Sequence, residues 1–132
     1  MIEVKLNKYL NKNFKCSCGK QHFIPIKKVL IQENILTKIP ELLPMIPSQK
    51  RIYLIADKNT FEAAGEKVVE NINSKEYKVK PIVLKDENVM PDPDFLFKIM
   101  ESLTEPGYII ACGSGTINDL TAYIAHRSEE HT

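Results

Sequence analysis

The chain has 132 residues, 43% hydrophobic and 27% charged, the composition of one globular domain that buries roughly two-thirds of its unfolded surface. Its 18 basic and 17 acidic residues leave a formal net charge of +1 and no massed basic face, which argues against nucleic acid as a partner. No apolar stretch approaches the ~20 residues that span a bilayer, the first residues lack the apolar segment of a secretion signal, and three cysteines make no secreted disulfide framework. The expectation is a cytoplasmic protein without a membrane partner.

In chain order, residues 1–25 read as a polar, lysine-rich N-terminal extension with a short hairpin turning at Gly19. The lysines between residues 5 and 28 are interrupted by acidic and apolar residues, the pattern of solvated surface. Residues 26–127 read as an α/β core and 128–132 as a polar, loose tail, all within a single domain of 1–132. Ile26 to Gln32, β-branched at Ile26, Val29 and Ile31, reads as the first strand. Asn34 suits the cap of a short helix through Lys38, and Pro40 the first turn of another reaching about Ile46.

Lys50 to Asp57 holds a continuous apolar run, Ile52 to Ala56, expected of a strand buried on both faces. Asn59 or Thr60 is placed to cap the next helix, with Glu62 completing a capping box. Phe61, Ala64, Val68, Val69 and Ile72 then share one helical face, and Asn73-Ser74 ends the helix. Lys80 to Lys85 is the following strand. Asp92-Pro93 caps a helix whose expected buried face is Phe95, Leu96, Ile99, Met100 and Leu103, stopped by Pro106-Gly107. A last strand, Tyr108 to Cys112, runs into a final helix with an Ile117, Leu120 and Ile124 stripe. Four strands alternating with helices predict a Rossmann-like, doubly wound parallel sheet. In such sheets ligands sit outside the carboxyl ends of the strands, near the reversal of strand order.

Asp57 and Gly113 each occupy such an end. Gly113-Ser114-Gly115-Thr116 opens the final helix, where unpartnered amides and the positive end of the dipole can hold a pyrophosphate. Ser114 and Thr116 add hydroxyl donors, and Asp57 can accept from ribose hydroxyls. The spacing is not G-x-G-x-x-G, the acid precedes the glycines, and no P-loop lysine follows Gly115, so any dinucleotide site here has another layout. As alternatives, the glycine turn can be a plain strand-to-helix connection, Asp57 a helix cap, and Asp119 a first-turn partner of the helix dipole.

The run Gly113-Ser114-Gly115-Thr116-Ile117-Asn118-Asp119-Leu120-Thr121 resembles the glycine motif of sn-glycerol-1-phosphate dehydrogenases. These are grouped with iron-containing alcohol dehydrogenases and dehydroquinate synthases. Cys16 to His22, Ala56 to Gly65 and Tyr123 to His126 agree with that family in order and spacing. The resemblance implies an NAD(P)-binding domain in which Asp57 meets the adenosine ribose and Gly115 to Asp119 line the pyrophosphate. Gly113 and Ser114 belong to the same cofactor-binding set. It also implies that the family reduces dihydroxyacetone phosphate with NAD(P)H. The family's divalent metal (zinc, nickel or iron) is held by an Asp and two His of a C-terminal helical domain.

The match covers only the N-terminal part of such an enzyme, so the metal-binding domain is expected to be absent and the chain inactive alone. No catalytic residue and no metal ligand is assigned here; His126 and His131 match no ligand motif. The expected partners are the dinucleotide and, through an exposed sheet edge, a second copy or a separate C-terminal half. A non-catalytic remnant of the same fold, or a fragment of a related polyol dehydrogenase or dehydroquinate synthase-like enzyme, is the alternative. Cys16, Cys18 and His22 are zinc-type ligands, but a fourth is missing and C-x-C is tight, which favours a hairpin with free thiols. Cys112 reads as a small core residue, and Asp86, Glu87, Asp92 and Asp94 as loop and cap residues.

Overall fold

The computed structural model describes residues 9–45, 51–74 and 77–130. The expected helix end at Ile46, strand start at Lys50, His131 and the last residues of the tail lie outside them. Two compact units divide the chain, Met1–Ile35 and Leu36–Thr132.

The first unit is built on an antiparallel hairpin, β1 (Asn13–Lys15) and β2 (Gln21–Phe23), with Phe14 opposite His22. Gly19 makes the turn at φ +88°, a left-handed conformation that glycine adopts without a Cβ penalty. A bridge between Leu10 and Ile24 extends the pairing, and the Asn11 amide donates to the Ile24 carbonyl at 2.7 Å. The strand expected over Ile26 to Gln32 does not form. Ile26 and Ile31 are exposed, and no strand among the described residues pairs with this segment. Its apolar positions do not alternate strictly, so no single face could be buried. Asn34 also departs from expectation: at φ +55° it lies in the left-handed region, not in the extended conformation of an N-cap.

A 3-10 turn, Ile35–Lys38, spans the boundary and leads in the second unit to the single turn α1 (Ile39–Leu42) with Pro40 in its first positions, and a second 3-10 turn, Leu43–Met45. Three parallel strands follow: β3 (Arg51–Asp57), β4 (Lys78–Leu84) and β5 (Gly107–Cys112), in the order β4-β3-β5. Among the described residues, three strands rather than four thus make the parallel sheet. Between β3 and β4 lie α2 (Lys58–Thr60), a π-helical turn Phe61–Gly65 and α3 (Glu66–Ile72). Helix α4 (Pro93–Ser102) joins β4 to β5, and α5 (Gly115–Glu130) follows β5.

Central strand β3 is covered on both faces, which explains its unbroken apolar run. Tyr53 and Ile55 pack with Ile82, Leu84 and the α4 and α5 residues Phe95, Ile99, Ile117, Leu120 and Ile124. Ile52, Leu54 and Ala56 pack on the opposite face with Val68, Ile72 and Tyr77, flanked by Leu36, Ile39 and Leu43. Each fully buried Ile or Leu contributes about 1.5–3 kcal/mol by leaving water. The Tyr53 hydroxyl is satisfied locally: it donates to the Glu105 carbonyl at 2.9 Å and accepts from the Glu105 amide at 3.0 Å.

The two outer strands differ in chemistry. β4 carries Pro81 at its centre, preceded by Lys78 and Lys80, whereas β5 reads Gly-Tyr-Ile-Ile-Ala-Cys with neither proline nor charge. Proline lacks an N–H for a ladder and is confined to sheet edges. In α4, Phe95 and Ile99 are buried and Leu96 and Leu103 half-buried, but Met100 is 52% exposed, against expectation. Its neighbour Ile99 takes the inward position of that turn. The Asp92 carboxylate accepts from the Phe95 amide at 3.1 Å and caps α4 as expected. Among the described residues no helix is long and apolar enough to cross a membrane.

Candidate dinucleotide site

After β3 the chain turns to one side to form β4, then crosses back to lay β5 against the other side of β3. The strand order therefore reverses between β3 and β5, and a crevice at their carboxyl ends is where ligands of this architecture bind. Ala56 pairs with Cys112, so Asp57 and Gly113 emerge side by side.

Asp57 is the N-cap of the helix that follows it. Its Oδ1 accepts from the Thr60 amide at 2.8 Å, while Thr60 Oγ1 accepts from the Asp57 amide at 3.0 Å, a reciprocal capping box. The helix starts at Lys58, ahead of the cap expected at Asn59 or Thr60, and Thr60 rather than Glu62 closes the box. The apolar periodicity placed this helix, but its first turn carries no apolar marker that would have fixed the start. The cap uses one carboxylate oxygen; Oδ2 has no partner among the described residues. Asp57 is half-buried, and the bond from Oδ1 to the Thr60 amide orients its carboxylate.

Gly113 is where glycine is needed for packing. A Cβ there would stand 3.0–3.1 Å from Ile117 Cγ1 and Cβ and from Thr60 Oγ1. This contact ties the β5-to-α5 turn to the capping box of Asp57. A Cβ on Gly115 would meet nothing within 4 Å. Gly115 is exposed, with open space beside its Cα.

The Ser114 carbonyl accepts from the Asn118 amide at 3.1 Å, which makes Ser114 the residue preceding the helix. The amides of Gly115, Thr116 and Ile117 have no acceptor among the described residues, as expected of a first helical turn. Ser114, Gly115, Asn118 and Asp119 are exposed and Thr116 is half-buried. Ile117 is 0% exposed and its side chain belongs to the core, so it can offer only its amide. The Asn118 amide is already used, which leaves its side chain. Asp119 lies one turn further in: the first turn of α5 contains no acidic residue, so the dipole role considered for Asp119 does not apply. With two glycines, three open amides, a hydroxyl on either side of Gly115 and a carboxylate oxygen nearby, the donors fit a pyrophosphate and the acceptor fits a sugar hydroxyl.

Cys112 borders the same crevice, half-buried, with its Sγ 3.9 Å from the Thr60 carbonyl. Burial first, and the Asp57 carboxylate second, push its thiol above the ordinary value, so it is a protonated packing residue at neutral pH. Asp86 is paired with Lys98 at 3.1 Å and Asp92 caps α4, which matches the loop and cap roles read for them.

In the hairpin unit, the ligand atoms of Cys16, Cys18 and His22 all lie within 4.8 Å of one another, a convergence that counting ligands along the sequence did not favour. Both hairpin thiols are free. The Cys18 amide, then the Cys18 thiol, hold Cys16 below the usual thiol value.

Residues 30–132 match the family model described as iron-containing alcohol dehydrogenase. Among curated proteins, the chain is 26% identical over 117 residues to a glycerol-1-phosphate dehydrogenase [NAD(P)+] of Halalkalibacterium halodurans and 25% identical over 117 residues to one of Geobacillus stearothermophilus. Each alignment covers 85% of this chain and 29% of the relative. A 3-dehydroquinate synthase of Thermodesulfovibrio yellowstonii is 27% identical over 103 residues, 74% of this chain and 29% of that protein. The chain thus spans under a third of the length of the curated relatives it matches. No solved structure matches it. With the family model covering most of its residues, and a parallel sheet that reverses beside the glycine turn, the chain belongs to the iron-containing alcohol dehydrogenase family.

Proposed function

We propose that this chain is the dinucleotide-binding portion of an NAD(P)-dependent oxidoreductase of the sn-glycerol-1-phosphate dehydrogenase type. The observation that carries this reading is the junction of Gly113 with Thr60, which sets the open first turn of α5 beside the capped Asp57 at the strand-order reversal. The amides of Gly115, Thr116 and Ile117, with the hydroxyls of Ser114 and Thr116, hold the pyrophosphate. Asp57 Oδ2 accepts from an adenosine ribose hydroxyl while Oδ1 stays in its cap. When bound, NAD(P)H supplies the hydride. For the whole protein to which this portion corresponds, the proposed reaction is reduction of dihydroxyacetone phosphate.

Similarity to 3-dehydroquinate synthases at 27–28% identity supports a second reading, a cyclase-type relative that uses the same nucleotide crevice. Because the chain spans 29% of these relatives, we assign it the binding step alone. The test is titration of the purified chain with NADH, followed by nicotinamide fluorescence. Saturable binding is expected. A folded chain that binds nothing at about millimolar cofactor, a free energy of only ~4 kcal/mol, refutes the proposal.

A further inference from the structure

We propose that the hairpin turn binds one thiophilic divalent cation, zinc by preference, through Cys16 Sγ, Cys18 Sγ and His22 Nε2, with the fourth position left to water or another exogenous ligand. This site lies in the first unit and does not depend on the dinucleotide reading.

Four observations carry it. The three ligand atoms lie within 4.8 Å of one another, and Cys18 Sγ is 3.1 Å from His22 Nε2. Bond lengths near 2.3 Å for Zn–S and 2.0–2.1 Å for Zn–N put the ligand atoms of a tetrahedral site roughly 3.5–3.8 Å apart, so small side-chain rotations close the set. The backbone is arranged for it. Gly19 at φ +88° turns the chain between the thiols and the imidazole, the Gly19 amide donates to the Cys16 carbonyl at 3.0 Å, and the Cys16 amide donates to the Lys20 carbonyl at 3.0 Å. The Cys18 amide points its proton at Cys16 Sγ from 3.5 Å, an outer contact that stabilises a coordinating thiolate.

His22 is held from the side as well: it pairs across the ladder with Phe14, whose ring centre lies 5.7 Å from that of the imidazole, and the Tyr9 ring meets Phe14 at a tilt, 4.9 Å between centres. The last observation is a deficit. Leu10 is the one buried hydrophobic residue among the described residues of this unit, while Phe23, Ile26 and Ile31 are about half exposed. A two-stranded hairpin with strands of three residues is marginal alone, and small units of this kind are commonly stabilised by a metal or a disulfide. Cysteines two positions apart are free here. Two thiolates and a neutral imidazole balance the dication, and soft sulfur ligands favour zinc over magnesium or calcium.

The test is anaerobic titration of the full chain with Co2+ in the presence of a phosphine reductant. One Co2+ per chain is expected, with thiolate-to-cobalt charge-transfer absorption, tetrahedral d–d bands, and bleaching when zinc is added. Cys16→Ser, Cys18→Ser and His22→Ala each lose the charge-transfer band or its tetrahedral partner bands. Cys112→Ser retains both, and since it leaves the hairpin intact it controls for the third thiol. Circular dichroism of the three hairpin variants should keep the α/β signal, because their side chains lie outside both core clusters. Absence of cobalt–thiolate absorption in the unaltered chain overturns the proposal. So does persistence of both the charge-transfer and the tetrahedral bands in Cys18→Ser and His22→Ala, loss of either in Cys112→Ser, or a stoichiometry of one metal per two chains.

Discussion

Alanine at position 113 and alanine at position 115 should have opposite effects on stability, and only the second should act directly on nucleotide binding. Gly113→Ala places a methyl group 3.0–3.1 Å from Ile117 and Thr60, in a turn that joins β5, α5 and the Asp57 cap. Ile117 is fully buried and has little room to yield, so the change should cost about 1–3 kcal/mol, the usual range for overpacking. Gly115→Ala adds a methyl group to open space in the first turn of a 16-residue helix. There the loss of unfolded-chain freedom should stabilise the fold by about 0.4–1 kcal/mol. At roughly 3–6 °C per kcal/mol for a domain of this size, thermal melts should move down for the first variant and slightly up for the second. Yet that same methyl group occupies the approach to the Gly115 amide. Forfeiting one charge-assisted hydrogen bond of about 1.5–3 kcal/mol should weaken NADH binding roughly tenfold to a hundredfold. Paired melts and fluorescence titrations measure both quantities. A folded, more stable Gly115→Ala chain that binds NADH as well as the unaltered protein would show that no phosphate sits on this turn, and the reasoning fails.

Three further outcomes are expected. Asp57→Asn keeps an N-cap residue, so its stability should stay within about 0.5 kcal/mol of the original, while NADH affinity drops and the ratio of NADH to NADPH affinity narrows; thermal melts and titration with both cofactors check it. Ile99→Ala should cost about 2–5 kcal/mol, whereas Met100→Ala on the exposed side of the same turn should cost under about 0.5 kcal/mol, measured by urea unfolding. In chelator-treated protein near neutral pH, alkylation followed by mass spectrometry should modify Cys16 before Cys112. The thiolate is the reactive form, so a lowered thiol value raises the Cys16 rate and a raised one suppresses Cys112. Equal rates at the two sites would contradict that ordering.

Much of the second unit was legible along the chain because its signals are local. The apolar run of β3, the Asp92-Pro93 cap and the Ile117, Leu120, Ile124 stripe each report a burial pattern that a few neighbouring residues decide. Ile26 to Gln32 misled because β-branched content alone does not supply a partner strand or a strict alternation. Met100 misled because an α4 face drawn by periodicity is wider than the face that the sheet covers. At the crevice, Asp57 and Gly113 were recognisable by position, but their junction through Thr60 needed the strand order, which no local pattern encodes. The convergence of Cys16, Cys18 and His22 was hidden for a similar reason: the turn between β1 and β2, with one left-handed glycine, brings the imidazole back to the two thiols.

The two outer strands of the sheet are not equally suited to pairing with further chain. On the β4 flank, Pro81 and its lysine neighbours terminate the ladder, and any strand approaching there finds a missing donor and like charges. The β5 flank has no such guard. A strand added to this sheet, from another copy or a companion segment, would find on β5 the backbone donors that Pro81 denies it on β4. Architects of fusions or split versions of this protein should join new material on that flank and leave the proline-guarded one bare.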